Sequence, residues 1–193
     1  GKKDISGSFT ADNKVYDGGT AATVSARSLT AADIVGSDDV SLSGGSANFA
    51  SANVDDDITV TLAGASLAGT KAGNYNLTGV ATATADITPA TATASVSVAA
   101  SYTYNGNAQG ATASSVKGLN DVELEKTVTY EGRNATQYTA SSTAPTNAGD
   151  YKVTVALAST ETNYSATSDS RDFTIGKKDI SGSFTADNKV YDG

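Results

Sequence analysis

Apolar and polar residues alternate in short segments along the whole chain. The segment GDYKVTVALA carries apolar side chains at Tyr151, Val153, Val155 and Leu157, which are every second position. A period of two places such side chains on one face of a half-buried strand. The pattern therefore predicts β-strands, and the same spacing recurs at Ile58, Val60 and Leu62, at Val40 and Leu42, at Val96 and Val98, at Val128 and Tyr130, and at Phe173 and Ile175.

Turn residues separate the predicted strands. A Tyr-Asp-Gly motif at residues 16–18 has a counterpart in the Tyr-Asn-Gly motif at residues 104–106, an offset of 88. Asn, Asp and Gly tolerate the positive φ of tight turns, so both motifs predict β-hairpins. One segment, SLTAADIVG, differs, because Ser28 or Thr30 is placed to cap a single helical turn through Ala31, Ala32 and Asp33.

The chain contains a long internal repeat. Residues 176–193 are identical to residues 1–18, which gives a period of 175 residues from Gly1 to Gly176. Identity over all eighteen positions indicates recent duplication, so we interpret the chain as a segment of a tandem array. We expect residues 176–193 to be the first strands of the next repeat, and to be disordered or to become ordered against a neighbouring molecule.

Each period divides into two related halves. Besides the two Tyr-containing turns, KAGNYNLTG around Tyr75 resembles NAGDYKVTV around Tyr151, and each half ends on a short alternating strand. We therefore predict an all-β chain with two tandem immunoglobulin-like β-sandwich domains, residues 1–88 and 89–175, and one short helical turn in the first. Tyr75 and Tyr151 are each expected to bond back to the corner that precedes the penultimate strand.

The composition fits ordered β-structure with a thin core. Leu, Ile, Val and Phe make up 33 of the 193 residues, which is below the fraction usual in globular domains. The net charge of −8 is too small for a chain that is disordered by charge repulsion. A sequence pI near 4.4 argues against nucleic-acid binding. No apolar stretch is long enough to span a bilayer, so we expect no membrane span in this segment.

The absent residue types restrict the possible chemistry. The chain has no Cys and no His, so it lacks thiolate sites, disulfides and the commonest base and metal ligand near neutral pH. Acidic pairs at turns, without an aromatic platform beside them, do not form a glycosidase pattern. We expect no enzyme activity and no cofactor, and no catalytic, cofactor-binding or metal-binding residue is assigned.

Three alternatives remain for single groups of residues. Asp38 and Asp39, with residues 55–57 (Asp-Asp-Asp), are solvated turn carboxylates or, alternatively, ligands of Ca²⁺. Lys14, Lys117 and Lys152 are ordinary surface lysines or, alternatively, partners of an intramolecular Lys-Asn amide bond. The nine tyrosines are core and corner residues or, alternatively, a ligand-binding surface.

Two stretches of the sequence resemble known repeats. The string ADNKVYDGGTAAT, with DDVSLSG and AGNYNLTG, resembles the YDG repeat of large bacterial surface proteins. The string YTYNGNAQGATASSVKG, with TVTYEG and APTNAGDYKVTV, resembles the MBG repeat, which is mostly β and rich in glycine. The resemblance implies an extracellular repeat of a bacterial cell-surface adhesin, with no catalytic residues to carry over.

Two functions are compatible with these observations. The first is a structural stalk or spacer that projects a binding region away from the cell, with the neighbouring repeats of the same protein as its partners. The second is an adhesive module that binds a host glycan or protein, or that associates with copies of itself. A contiguous exposed apolar or aromatic patch would favour the second function.

Overall fold

The chain forms an all-β structure in which the helical segments are single 3₁₀ turns. The computed structural model describes all residues from 1 to 193, and about half of them lie in strands. The 3₁₀ turns are Ala31–Asp33, Ala72–Asn74 and Leu119–Asp121. None of the helical turns could span a membrane. The predicted all-β class is confirmed.

The first half of the chain contains eight strands in two sheets. One sheet has the order β4-β1-β7, with β1 antiparallel to β4 and parallel to β7. The other has the order β2-β8-β6-β5-β3, in which only the β2–β8 pair is parallel. The strands are β1 (Lys3–Ala11), β2 (Lys14–Val15), β3 (Ala21–Ala22), β4 (Val24–Leu29), β5 (Ser41–Phe49), β6 (Asp55–Ala68), β7 (Tyr75–Val80) and β8 (Ala83–Thr88).

The second half repeats this topology with fewer strands. Its larger sheet has the order β10-β14-β13-β12, and the β10–β14 pair is parallel, as the β2–β8 pair is. Its smaller sheet pairs β11 with β9. The strands are β9 (Thr93–Ser97), β10 (Ser101–Thr103), β11 (Ala113–Lys117), β12 (Lys126–Gly132), β13 (Gly149–Leu157) and β14 (Ser168–Gly176).

The chain divides into two compact units. Unit 1 contains Gly1–Thr93 together with two short later segments, Lys117–Glu125 and Ala158–Thr167. Unit 2 contains Ala94–Val116, Lys126–Leu157 and Ser168–Gly193. Unit 1 thus includes two segments from the second half of the sequence, and the predicted domain boundary at residues 88 and 89 stays a prediction.

Each unit has its own apolar interior. In unit 1, a cluster joins Phe9 from β1 to side chains from β5, β6 and β8, namely Ala47, Phe49, Ile58, Val60, Ala85 and Ile87. In unit 2, the Phe173 ring stacks on Tyr151 at 5.5 Å between centroids and meets Tyr102 and Tyr130 edge-on. Alternation predicted the buried faces of β6 and β13, since Ile58 and Val60, and Tyr151, Val153 and Val155, are buried.

Residues 177–193 contain no strand, and their apolar side chains are exposed. Ile180 and Phe184 are 92% and 91% exposed, whereas the identical residues Ile5 and Phe9 are buried in β1. The same sequence therefore forms a strand only where partner strands are present on both sides, as β4 and β7 are for β1.

Candidate functional site

The Tyr-Asp-Gly motif forms a tight turn at the end of β2. The Asp17 carboxylate accepts hydrogen bonds from the Gly19 N–H at 2.9 Å and from the Lys14 ammonium at 2.7 Å, and Gly18 has a φ of 80°. The Lys14 bond, followed by the Gly19 bond, holds the pKa of Asp17 below its usual value. The N–H of Tyr16 donates to the Thr88 carbonyl at 2.8 Å, which attaches the turn to the end of β8.

The Tyr-Asn-Gly motif forms the same turn in the second half. The Asn105 side-chain oxygen accepts from the Asn107 N–H at 2.9 Å, and Gly106 also has a φ of 80°. The N–H of Tyr104 donates to the Gly176 carbonyl at 2.8 Å, at the end of β14. Both motifs therefore attach an early turn to the last residue of the final strand in their half. The predicted turns are present, but the predicted hairpins are wrong, because β2 and β10 pair with β8 and β14, whereas the strands that follow them, β3 and β11, pair with β5 and β9.

The two predicted corner tyrosines have different roles. The Tyr151 hydroxyl donates to the Asn147 carbonyl four residues earlier at 2.9 Å, so the predicted corner is confirmed for this residue. The prediction is wrong for Tyr75, whose hydroxyl accepts from the Val35 N–H at 2.8 Å and donates to Asp38 at 2.9 Å. Tyr75 begins β7 and pairs with β1, so its ring points to a loop far back in the sequence instead of to the adjacent corner.

The counterpart of Tyr75 is Tyr164, which the sequence comparison missed. Tyr75 lies opposite Lys3 in a parallel pairing, and Tyr164 lies opposite Ala90 in a parallel bridge. The Tyr164 hydroxyl accepts from the Leu119 N–H at 3.4 Å, next to a 3₁₀ turn, as the Tyr75 hydroxyl accepts from Val35. The similarity of Tyr75 and Tyr164 is visible in the segments GNYNLT and TNYSAT. It is weaker than the similarity between AGNY, which contains Tyr75, and AGDY, which contains Tyr151.

Asn163 and Tyr164 form a corner that docks on the end of residues 1–88 within unit 1. The Asn163 side chain accepts from the Val54 N–H at 2.9 Å and donates to the Asn53 side chain at 3.2 Å. The Tyr164 ring meets the Tyr16 ring edge-on, with 5.6 Å between centroids. We call Tyr16, Asn53 and Val54 the docking site and residues 163–164 the Asn-Tyr corner.

The backbone beside the docking site holds the same corner. The Ala90 N–H donates to the Asn163 carbonyl at 3.1 Å, and the Ser165 N–H donates to the Ala90 carbonyl at 2.8 Å. A Cβ added at Gly118 would lie 2.6 Å from the Tyr164 ring, so only glycine leaves room for the ring there. The corner is therefore fixed by backbone pairing, by side-chain hydrogen bonds and by ring packing together.

The acidic clusters are engaged in local hydrogen bonds. The Asp39 carboxylate accepts from the backbone N–H and the hydroxyl of Thr70 at 2.9 and 3.0 Å, and these bonds lower its pKa. Asp38 accepts from Tyr75, and Asp57 has a positive φ of 51° at an irregularity in β6. No group of three or more acidic side chains is placed to hold a metal ion.

The three candidate lysines bond to acids and carbonyls. Lys14 contacts Asp17 and the Gly19 carbonyl, Lys117 donates to the Asp121 carbonyl at 3.5 Å, and Lys152 pairs with Glu131. None of these hydrogen bonds involves an asparagine. The structure thus does not bring together the lysine, asparagine and acid that an amide cross-link requires.

The predicted helical turn is confirmed, but its predicted cap is wrong. Residues Ala31–Asp33 form a 3₁₀ turn, and Thr30 precedes it without a capping bond from its side chain. The Thr30 hydroxyl bonds to the Ser6 hydroxyl at 2.8 Å instead, because β1 lies beside the turn.

Comparison with known proteins gives a family match for the first half of the chain. Residues 2–85 match the YDG domain family, so the resemblance stated for this half is confirmed. No curated protein and no solved structure matches the chain.

Proposed function

We propose that this chain is a structural spacer from the stalk of a bacterial cell-surface adhesin. The observation that carries the proposal is the parallel pairing of an early strand with the final strand in each half, β2 with β8 and β10 with β14. Tension along the chain pulls the two strands of a parallel pair in opposite directions along their length. All their hydrogen bonds then bear load together, as a load-bearing repeat requires.

The finer fold belongs to the same proposal. Residues 1–88 and 89–175 are two tandem immunoglobulin-like β-sandwiches, the second of MBG type, and residues 176–193 open the next repeat. The repeated strand order of the two halves and their matching turns support this arrangement. Neighbouring repeats are then the main partners of each domain, at an extracellular location, and catalysis has no part in the function.

The short connection between the two halves supports a stiff array of domains. β8 ends at Thr88 and β9 begins at Thr93, with Pro89 directly after β8. Proline fixes its own φ and restricts the residue before it, so this step resists folding back. With a rise of about 3.3 Å per strand residue, each sandwich adds roughly 40 Å and one period adds on the order of 80 Å.

Small-angle scattering and a binding screen together test the proposal. Chains of one, two and three 175-residue periods are measured by scattering, and one period is screened against glycans and host surface proteins. A maximum dimension that grows linearly with the number of periods, without binding, supports the spacer. A maximum dimension that stays constant would refute it, and measurable affinity of one period would favour the adhesive module.

A further inference from the structure

A pocket at the end of the second half occupies the position that the docking site has in the first half. An open pocket of about 450 Å³ in unit 2 is lined by Tyr104, Asn147, Ala148, Lys177, Lys178 and Ile180. Tyr104 occupies the position of Tyr16, because each donates its N–H to the last residue of the final strand. Unlike Tyr16, Tyr104 has no ring packed against it and is 41% exposed.

The remaining lining residues correspond as well. Asn53 and Val54 directly precede β6, and Asn147 and Ala148 directly precede β13. β6 and β13 are equivalent strands, since each pairs antiparallel with the final strand of its half. The pocket therefore offers the Asn147 side chain and the Ala148 N–H where the docking site offers Asn53 and the Val54 N–H.

The first half contains an equivalent of the Asn-Tyr corner, in which the asparagine side chain makes no hydrogen bond. Asn74 and Tyr75 correspond to residues 163–164. Tyr75 is paired in parallel with the start of its half, as Tyr164 is, and the hydroxyl of each accepts a hydrogen bond from a backbone N–H beside a 3₁₀ turn. The Asn74 side chain is exposed and makes no hydrogen bond, whereas that of Asn163 makes two. Tyr75 itself is 3% exposed, so Asn74 is the part of this corner that is available to a partner.

The repeated sequence brings this corner to the pocket. Lys178 is the repeat equivalent of Lys3, and Lys3 lies directly opposite Tyr75. A following copy of residues 1–88 that uses residues 176–193 as its first eighteen residues places its own Tyr75 opposite Lys178. Lys178 lines the pocket, so the Asn74 of that copy lies at the pocket too.

We propose that the pocket lined by Tyr104, Asn147 and Ala148 docks the Asn74–Tyr75 corner of a following copy of the first-half domain. In this arrangement the Asn74 side chain accepts from the Ala148 N–H and donates to the Asn147 side chain, as Asn163 does with Val54 and Asn53. The inference rests on the proposed spacer function. It means that consecutive domains of the array are joined by the same type of hydrogen-bonded contact throughout.

Amide hydrogen exchange tests this contact in a lengthened chain. The full 193-residue chain is extended by a second copy of residues 19–88 after Gly193. We expect exchange of the Ala148 amide to be at least about tenfold slower in the lengthened chain than in the 193-residue chain, because a hydrogen-bonded amide exchanges only on opening. Asn74→Ala in the second copy should remove that protection.

The same substitution in the first copy is the matched control. Asn74→Ala there, where no domain precedes it, should leave Ala148 protected. Protection of the core amides of the first copy shows whether a domain with this substitution folds. Asn163→Ala should speed up hydrogen exchange of the Val54 amide, and it is the positive control for this type of contact.

Equal exchange of Ala148 in the short and lengthened chains, or protection that survives Asn74→Ala in the second copy, would overturn the inference. Linear growth in scattering would still hold in that case, so the spacer function is judged separately.

Discussion

Tyr75 connects two distant parts of the first half through one hydroxyl group. It accepts a hydrogen bond from the Val35 N–H and donates one to the Asp38 carboxylate. Burial of the ring and the neighbouring Asp38 raise the pKa of Tyr75 despite the opposing effect of the Val35 bond. The hydroxyl therefore stays protonated, and remains a donor to Asp38, throughout the neutral range.

Tyr75→Phe should destabilise the first half. Both hydrogen-bond partners lose the hydroxyl while the ring stays in place, so we expect the free energy of unfolding to fall by about 1–2 kcal/mol. Urea unfolding followed by circular dichroism measures the change. Tyr191→Phe, at a position that is 91% exposed, is the control and should change stability by less than about 0.5 kcal/mol. Equal effects of the two substitutions would mean that the Tyr75 hydroxyl stabilises nothing.

Asp39 should make stability depend on pH in the acidic range. Its hydrogen bonds to Thr70 lower its pKa in the folded state from the usual 3.8. A depressed folded-state pKa means that the stabilisation is complete above the unfolded-state pKa and is lost as the pH falls through the folded-state pKa. Asp39→Asn cannot ionise, so its unfolding midpoint should fall less than that of the wild type from about pH 5 to about pH 2.

Thermal unfolding at several pH values measures this difference. Asp187→Asn, in the exposed tail, is the control and should follow the wild type at each pH. If Asp39→Asn also followed the wild type throughout, the Thr70 bonds would have no energetic role.

At the level of elements, the two Tyr-containing turns form a matched pair. Gly18 and Gly106 have the same φ of 80°, and a Cβ added at either would meet no atom within 4 Å. Substitution with alanine therefore tests backbone conformation alone. We expect Gly18→Ala and Gly106→Ala each to cost about 1–2 kcal/mol of unfolding free energy, which is the usual cost of a left-handed residue with a side chain.

Gly79→Ala is the control for this pair. Gly79 lies in β7 without a positive φ, and an added Cβ there also meets no atom within 4 Å. Its replacement should be neutral or slightly stabilising, because alanine restricts the unfolded chain. Urea unfolding of the three variants compares the costs directly. A cost at Gly79 equal to those at Gly18 and Gly106 would contradict the assignment of strain to the turns.

Local pattern predicted the strands and turns but not their partners. The alternating residues of β6 and β13 and the two turns depend on neighbours in sequence, so short segments reveal them. The pairing of β1 with β7 and of β2 with β8 joins residues about 70 positions apart, and periodicity carries no information about it. Tyr75 was matched to Tyr151 for this reason, since the surrounding letters agree while the strand partners differ.

The Asn-Tyr corner was not predicted because its partners, too, are distant in sequence. Asn163 and Tyr164 lie in a polar loop with no alternation, and their role comes from Asn53, Val54 and Tyr16, more than a hundred residues earlier. A comparison of the two halves aligned on their final strands, β8 and β14, places Tyr75 within one position of Tyr164. That alignment, not the similarity of short motifs, is the signal in the sequence.

For the whole molecule, the spacer proposal requires each half to unfold as a separate unit with its own core. Val60 in β6 and Val153 in β13 are both 0% exposed and occupy equivalent central strands, so they form a matched pair of core probes. Replacement by alanine removes two carbon atoms and leaves a cavity, which costs roughly 1.5–3 kcal/mol. Calorimetry of the wild type should resolve two unfolding transitions of related size.

Val60→Ala should lower the midpoint of one transition and Val153→Ala that of the other, each leaving the second transition unchanged. Ile180→Ala, in the exposed tail, should move neither and serves as the control for handling and concentration. A chain whose halves close separate cores passes tension from one to the next and can lose one domain without losing its neighbour. If Val60→Ala instead shifted both transitions together, the two halves would share one cooperative core, and the proposed array of independent load-bearing domains would be wrong.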